Sequence, residues 1–375
     1  MRKSRLLIAL ALAICASALP APAAHASDPG PALRRSMFGL TGWSFPSRHE
    51  VSPLTRRGLR SWRTTLSWTD VERDRGRYQW SGFDQLVTRL VSRRVNLFFV
   101  LNGCPTWACH RQGFGPPRTR AALGAWAAFA AAAARRYGSG GSFWREHPGL
   151  RYAPVRYWQV MNEVNGSDQW PSPSPAGYAE LLKLTAAAIR RADPSSRIVL
   201  AGLGEKMTVW LRDYLPRLYA QPGFASDFDV MAPEGYAPRP RDVARIMRTT
   251  RRIMRRSGDS AKPVWITEMS WSTGGGRHAF ITTPAGQAKN LRRAYDLLLS
   301  CRARWNLQRV YWFSFRDRPV PAGEPDFWGN HNGLMTFADR WKPAMRTFLD
   351  YVRRHLPRGH RTSCRAAASA ARAKP

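Results

Sequence analysis

Val155-Arg-Tyr-Trp-Gln-Val-Met161 is a mostly apolar run that stops at Asn162-Glu163. A segment of this kind, without polar alternation, reads as a strand covered on both faces. A glutamate directly closing such a strand is costly unless it is paired. The arrangement occurs twice, because Pro263-Val-Trp-Ile-Thr267 ends in Glu268. The two glutamates are separated by three βα units of about 35 residues each.

Working outward, eight segments have strand character: 37–40, 61–66, 96–101, 156–161, 198–201, 229–232, 264–267 and 310–315. Amphipathic stretches at 83–93, 119–137, 175–192, 241–256, 283–306 and 343–354 read as helices between them. Ser174 before Pro175 and Thr283 before Pro284 mark two helix starts. The rhythm predicts an α/β fold, a single (β/α)8 TIM barrel within residues 27–356. A doubly wound open sheet would carry a Gly-rich nucleotide turn after its first strand, and none is present. In a barrel, functional groups sit at the C-terminal strand ends. Polar and aromatic residues gather there: Gly42-Trp43, Arg63, Asn102 to Trp107, Asn162-Glu163, Glu205, Glu234 to Tyr236, Glu268, and Trp312 to Asp317.

On strands four and seven, Glu163 and Glu268 can face each other across the barrel mouth. Cleavage of a glycosidic bond needs such a pair. One carboxylic acid protonates the leaving oxygen, the other attacks the anomeric carbon, and a separation of ~5–5.5 Å gives retention of configuration. Two surface or salt-bridged glutamates are the bland alternative, and their placement at two buried strand ends disfavours it.

The stretches Tyr157-Trp-Gln-Val-Met-Asn-Glu-Val-Asn165 and Lys262-Pro-Val-Trp-Ile-Thr-Glu-Met-Ser-Trp271 resemble the two signatures of clan A glycoside hydrolases. The resemblance is to family 39 and to family 5-type bacterial hydrolases of exopolysaccharide. Arg63 with Trp68-Thr-Asp-Val-Glu72, Gly76-Arg-Tyr78-Gln-Trp80 and Asp84 is similar to their second-strand region. Leu101-Asn-Gly-Cys-Pro105-Thr-Trp107 is similar to their third-strand end, Asp193-Pro194 to their approach to strand five, and Tyr311-Trp312-Phe-Ser-Phe-Arg-Asp317 to their eighth strand. Single Asn-Glu pairs carry little information. The ordered set, over residues 37–355, carries much more.

The resemblance implies a retaining hydrolase acting on β-linked sugars, with Glu163 as general acid/base and Glu268 as nucleophile. An acid working near neutral pH needs its pKa raised by its surroundings. Arg63 is placed to hydrogen-bond Glu268 and hold it charged. Asn162 would bind the sugar 2-hydroxyl, and Trp312 would form a platform under the ring, with Trp43 and Trp107 lining neighbouring subsites. Strand six departs from the pattern. Such families offer a His followed closely by Pro and Tyr, whereas this chain reads Met231-Ala-Pro-Glu-Gly-Tyr236. Tyr236 can still reach the nucleophile. Glu234 is either a charged contact for a basic or hydroxyl-rich sugar, or a loop glutamate paired with a nearby Arg. Glu205 is a similar bystander.

Residues 1–26 read as a cleaved signal peptide. Arg2, Lys3 and Arg5 form a positive start, residues 6–19 an apolar core, and Ala24-His25-Ala26 a cleavage site. The expected mature protein is secreted and has no membrane span. Cys15 leaves with the leader, so Cys104, Cys109, Cys301 and Cys364 remain for an oxidising compartment. Three pairings exist. Cys104–Cys109 and Cys301–Cys364 are favoured, because each pair falls on one face of the barrel. The cysteine spacing is not zinc-like and no His-Glu-x-x-His is present, so neither a metal nor a cofactor is expected.

The net charge of +34 excludes an acidic protein. It points either to a polyanion partner, such as an acidic polysaccharide, or to Arg-biased coding with solvated helix faces. No nucleic-acid motif stands behind it, so the second reading is preferred. Residues 357–375 form a basic Ala/Arg-rich tail. The 16 tryptophans favour a polymeric carbohydrate over a small glycoside. The competing function is a non-catalytic carbohydrate- or polyanion-binding protein on the same scaffold. Bland roles are expected for the Asn165-Gly-Ser167 sequon (loop), for Trp126 and Trp144 (packing), for Asp70 and Glu72 (caps and salt bridges), and for His110, His278 and His331 (loops).

Overall fold

Seven apolar segments pair in parallel as one sheet, in the order β5-β4-β3-β2-β1-β7-β6. They are β1 (Phe38–Thr41), β2 (Ser61–Ser67), β3 (Asn96–Asn102), β4 (Tyr157–Val160), β5 (Arg197–Val199), β6 (Val264–Ile266) and β7 (Leu307–Phe313). The computed structural model describes residues 36–109, 115–320, 322–354 and 364. The expected leader at 1–26, His110, and the tail at 357–375 apart from Cys364 lie outside the described residues.

The last strand returns to the first, with Phe38 beside Val310 and Thr41 beside Phe313. The sheet is therefore curled, and its free edges are β5 and β6. Residues 229–235 run between those edges and bridge both. Val230 pairs with Val199, Pro233 with Leu203, and Met231 with Val264, all in parallel. Leu200 N donates to Val230 O at 3.0 Å and Trp265 N to Met231 O at 2.9 Å. The strand expected at 229–232 is thus present as isolated bridges rather than as a ladder. Pro233 has no N–H to donate, and the flanking strands are three residues each, so the pairing breaks into single contacts.

Helices follow the strands: α1 (Arg48–Arg56), α2 (Ser81–Val91), α3 (Arg120–Tyr137), α4 (Pro175–Ala192), α5 (Leu211–Tyr219), α6 (Pro240–Arg256), α7 (Pro284–Ser300) and α8 (Pro343–Arg354). Thr119, Ser174 and Thr283 cap α3, α4 and α7 by each accepting the backbone N–H of the third helical residue. Pro at the first turn fits α4 and α7, since that N–H has no intrahelical partner. The single helix expected at 283–306 divides at Cys301, and Asn306 closes its short second part in a left-handed conformation. Helices α1 and α5 escape the sequence reading because Pro53 and Pro216 lie inside them and read as breakers.

Strand parity builds the interior. Phe98 packs edge-on to Trp265 at 5.2 Å and lies 5.5 Å from Tyr311, while Tyr157 lies 4.6 Å from Trp265. Ser61 and Tyr311 share a hydrogen bond at 2.8 Å beside them. These inward rings fill the floor of the curled sheet, and the next inward positions toward the C-terminal strand ends are Arg63, Gln159 and Phe313. Outside the sheet, Trp126 packs between α3 and α4 with its indole N–H on Thr185, and Trp144 donates to Tyr137 O. Both tryptophans therefore pack, as expected. Cys104 is bonded to Cys109 and Cys301 to Cys364, with Cα atoms 5.9 and 4.8 Å apart. Among the described residues no helix is long and apolar enough to cross a membrane.

Candidate active site

The end of β4 is bent sharply. Met161 and Glu163 both take left-handed backbone conformations, with φ of 64° and 45°. Such values are costly for residues with a Cβ and concentrate at functional sites. The surrounding backbone fixes the bend: Glu163 N donates to Gly202 O at 2.8 Å, and Gly166 N donates back to Glu163 O at 2.8 Å. The bend turns Asn162 and Glu163 toward the mouth of the sheet. Glu268 arrives there from the end of β6.

Arg63 organises the centre. Its Nη1 donates to Glu268 Oε1 at 2.7 Å, its Nη2 to Asn162 Oδ1 at 2.8 Å, and its Nε to Gln159 Oε1 at 2.9 Å. Asn162 Nδ2 lies 3.4 Å from the same Glu268 oxygen. Tyr236 Oη donates to the other oxygen, Oε2, at 2.8 Å. Glu268 therefore accepts from a cation and two neutral donors, which is the environment of a carboxylate.

Glu163 is treated differently. Burial, followed by the charge of Glu268, pushes its pKa up to about 7, against the pull of a hydrogen bond with Glu234 and of Arg63. Glu234 is wholly buried, and burial first, then the charges of Glu163 and Glu268, raise its pKa well above the usual carboxylate range. Burial and the same three carboxyl groups also raise Tyr236 well above its ordinary value, so its hydroxyl keeps its proton. A cleft of about 380 Å³ opens over this group. Glu163, Glu268, Asn162 and Arg63 line it, with Trp43 and Phe313 on one wall.

No family model matches the sequence, and no curated protein matches it by sequence. Solved structures do. A family 39 glycoside hydrolase from Bacteroides cellulosilyticus WH2 superposes with a TM-score of 0.65 at 18% identity, over 87% of this chain and 66% of that one. A monomeric β-xylosidase from Caulobacter crescentus CB15 gives 0.60 at 20% identity, over 85% and 68%. A GH5_18 protein from Bifidobacterium longum subsp. longum gives 0.62 at 16% identity, over 86% and 80%. The chain shares the fold of these clan A glycoside hydrolases. It spans just under two thirds of the length of the Bacteroides protein.

In this fold not every expected residue reaches the cleft. Trp312 is fully buried and donates its indole N–H to Asn332 O at 3.1 Å, beside Trp271. It is not an open platform. The cause is parity: Tyr311 faces the interior, so Phe313 does too, and Trp312 between them faces outward. Phe313 stands in the cleft instead, edge-on to Trp43 at 5.0 Å. Trp43 is 47% exposed and Arg318 lies over its ring. Trp107 packs edge-on to Trp68, with its indole N–H on Glu72 O at 2.9 Å, and does not line the cleft.

Among the described residues Glu234 has no Arg partner, so the expectation of a loop ion pair fails; it joins the carboxyl cluster. Glu205 does pair, with Arg245 at 2.9 Å. Glu72 accepts from Trp68 Nε1 and Gly76 N, a structural role. Asp70 is capped by Ser67 and reaches the cleft wall. Asn165 is buried, with its amide on Gly204 O and Val209 O, so the sequon is an internal loop brace. The sequence reading missed Gln159, whose signal was a lone amide inside an apolar strand. Among the described residues no group of three His, Cys, Asp or Glu could hold a metal ion.

Proposed function

We propose that this chain is a secreted retaining glycoside hydrolase that cleaves a β-linked polysaccharide or oligosaccharide by double displacement. The reading rests on one observation. Two strand-end glutamates share a cleft in opposite environments, Glu268 among donors and Glu163 raised to about 7. That split is what acid and nucleophile require. Glu163 then gives its proton to the glycosidic oxygen while a Glu268 oxygen bonds to the anomeric carbon, and the leaving sugar departs as an alcohol. Esterification removes the charge of Glu268, and Glu163 loses that part of its raised pKa. Its carboxylate next takes a proton from water, whose oxygen displaces Glu268 and restores the first configuration.

Within this reading Arg63 and Tyr236 orient the nucleophile, Asn162 meets the 2-hydroxyl, and Phe313 and Trp43 flank the sugar. Residues 229–235 act as the eighth strand of a closed (β/α)8 barrel at 27–356, behind a cleaved leader at 1–26. The two disulfides support secretion.

The test is a product screen. Purified protein is incubated with β-linked polysaccharides and aryl glycosides beside Glu268→Ala, with products read by mass spectrometry and anomeric NMR. Release by the wild type alone, with the starting anomer first to appear, supports the reading. Release of the opposite anomer, or equal release by Glu268→Ala, overturns it. Salt-sensitive polyanion binding without turnover would favour a binding protein instead.

A further inference from the structure

Glu234 presents a problem that the two-carboxylate mechanism does not use. It is wholly buried at the end of the 229–235 segment. Among the described residues, neither of its oxygens receives a hydrogen bond from any N–H or hydroxyl. The cation that faces it, Arg63, directs its donors to Gln159, Glu268, Thr41 and Asn162. Gly202 and Gly204 lie against it, and a Cβ on Gly202 would stand 2.6 Å from Glu234 Oε1. A carboxylate without donors in such a place is not sustainable, so the group holds its proton. The Glu163 carboxyl comes within reach of it at Gly202, which lies against Glu234 Oε1 and accepts from Glu163 N at 2.8 Å. Two carboxyl groups bond to each other only if one of them supplies an O–H.

Resting on the hydrolase reading, we propose that Glu234 is a positioning residue: a permanently neutral carboxylic acid that donates its O–H to Glu163 and holds the acid/base in place. The bond is strongest when Glu163 is the anion, after it has protonated the leaving group, because a charged acceptor strengthens it. Glu234 thus keeps the Glu163 carboxylate tolerable between the two half-reactions. No proton leaves Glu234 in either step. The ionisable groups facing the pair are Glu268 from β6, Arg63 from β2, Tyr236 two residues on, and Asp168 on the loop after β4. Glu268 and Asp168 push the Glu163 proton affinity up, and Arg63 and the Glu234 hydroxyl pull it down.

The test compares wild type with Glu234→Gln and Glu234→Leu by NMR titration of ¹³C-labelled glutamate carboxyls. It needs no turnover, so it stands even if the product screen finds no substrate. Leucine removes the donor, and the Glu163 midpoint is expected to move up by about one pH unit. Glutamine retains an N–H donor and should leave the midpoint within about half a unit of wild type. In the wild type, the Glu234 signal should stay that of a neutral acid through the Glu163 transition. If Glu234→Leu fails to fold, this wild-type titration and the glutamine variant still decide. Ionisation of Glu234 before Glu163, a downward or absent shift in Glu234→Leu, or equal shifts in both variants would overturn the proposal. With an active enzyme, the alkaline limb of kcat/KM should follow the same order, which a purely structural role would not produce.

Discussion

Arg63 and Glu268 form a buried ion pair, Nη1 to Oε1 at 2.7 Å, with side chains 4% and 10% exposed. The guanidinium also holds Asn162 and Gln159, so one planar group fixes two functional side chains at once. Lysine has a single ammonium and cannot reproduce that fork. Arg63→Lys should lower kcat about 10²-fold, the cost of a small misplacement of reacting groups. Its thermal unfolding should show the protein folded but less stable. Activity within a factor of three of wild type would remove Arg63 from the machinery.

Glu268→Ala leaves a gap where the nucleophile stood. Azide can enter and attack the anomeric carbon in a single displacement. The expected result is no hydrolysis without azide, and with azide a glycosyl azide of inverted configuration, identified by NMR. A retained azide product would instead make Glu163 the nucleophile and Glu268 the acid/base, reversing the two roles.

The raised Glu163 carboxyl gives two pH signatures. The first step needs its proton, so kcat/KM should fall as pH rises through about 7. The stability sign is also fixed. A carboxyl that binds its proton more tightly when folded contributes stability that is full below its unfolded value near 4.5 and is lost as pH rises to about 7. Melting temperature should therefore decline over that window, and Glu163→Gln should flatten the decline. An unchanged slope in the variant would mean that Glu163 is not the group responsible.

The strands and the two closing glutamates were legible because buried strands write apolar runs and a glutamate at the end of one is conspicuous. Arg63 and Tyr236 came with the ordered motifs and meet Glu268 as anticipated, while the contact of Asn162 with Glu268 was not foreseen. Trp312 did not, because ring type was read without strand parity, and one residue of offset turns a side chain to the other face. Glu234 was ambiguous in sequence. Whether a glutamate meets an Arg or another carboxyl is decided by which strand ends converge, and no local pattern encodes that. Helices α1 and α5 were hidden because tertiary packing overrides the local cost of Pro53 and Pro216.

Gly202 is the place where the tips of two of these side chains crowd the same backbone position. A Cβ there would lie 2.5 Å from Asn162 Oδ1 and 2.6 Å from Glu234 Oε1. Both are tips of side chains and can move, so Gly202→Ala should cost only about 1–3 kcal/mol of stability. Moving them displaces the 2-hydroxyl contact and the Glu163 partner together. A folded variant with kcat/KM lowered about 10²-fold is expected. Wild-type kinetics in a folded Gly202→Ala would show that neither contact matters to turnover.

Trp312 and Phe313 are neighbours with opposite fates, and a paired substitution separates them. Trp312 is fully buried between Trp271 and the backbone of Asn332, so Trp312→Ala opens a cavity and takes from that carbonyl the shortest of its hydrogen bonds. It should cost about 3–5 kcal/mol in urea unfolding. Phe313 faces the cleft and touches Trp43, so Phe313→Ala should change stability less and weaken substrate. A rise in KM of about 10-fold is expected from the loss of one aromatic contact. Binding measured calorimetrically on a Glu163→Gln background separates affinity from chemistry. If Phe313→Ala binds normally while a milder Trp312→Phe loses affinity at full stability, the sugar platform is Trp312 after all, and the cleft wall must rearrange when substrate enters.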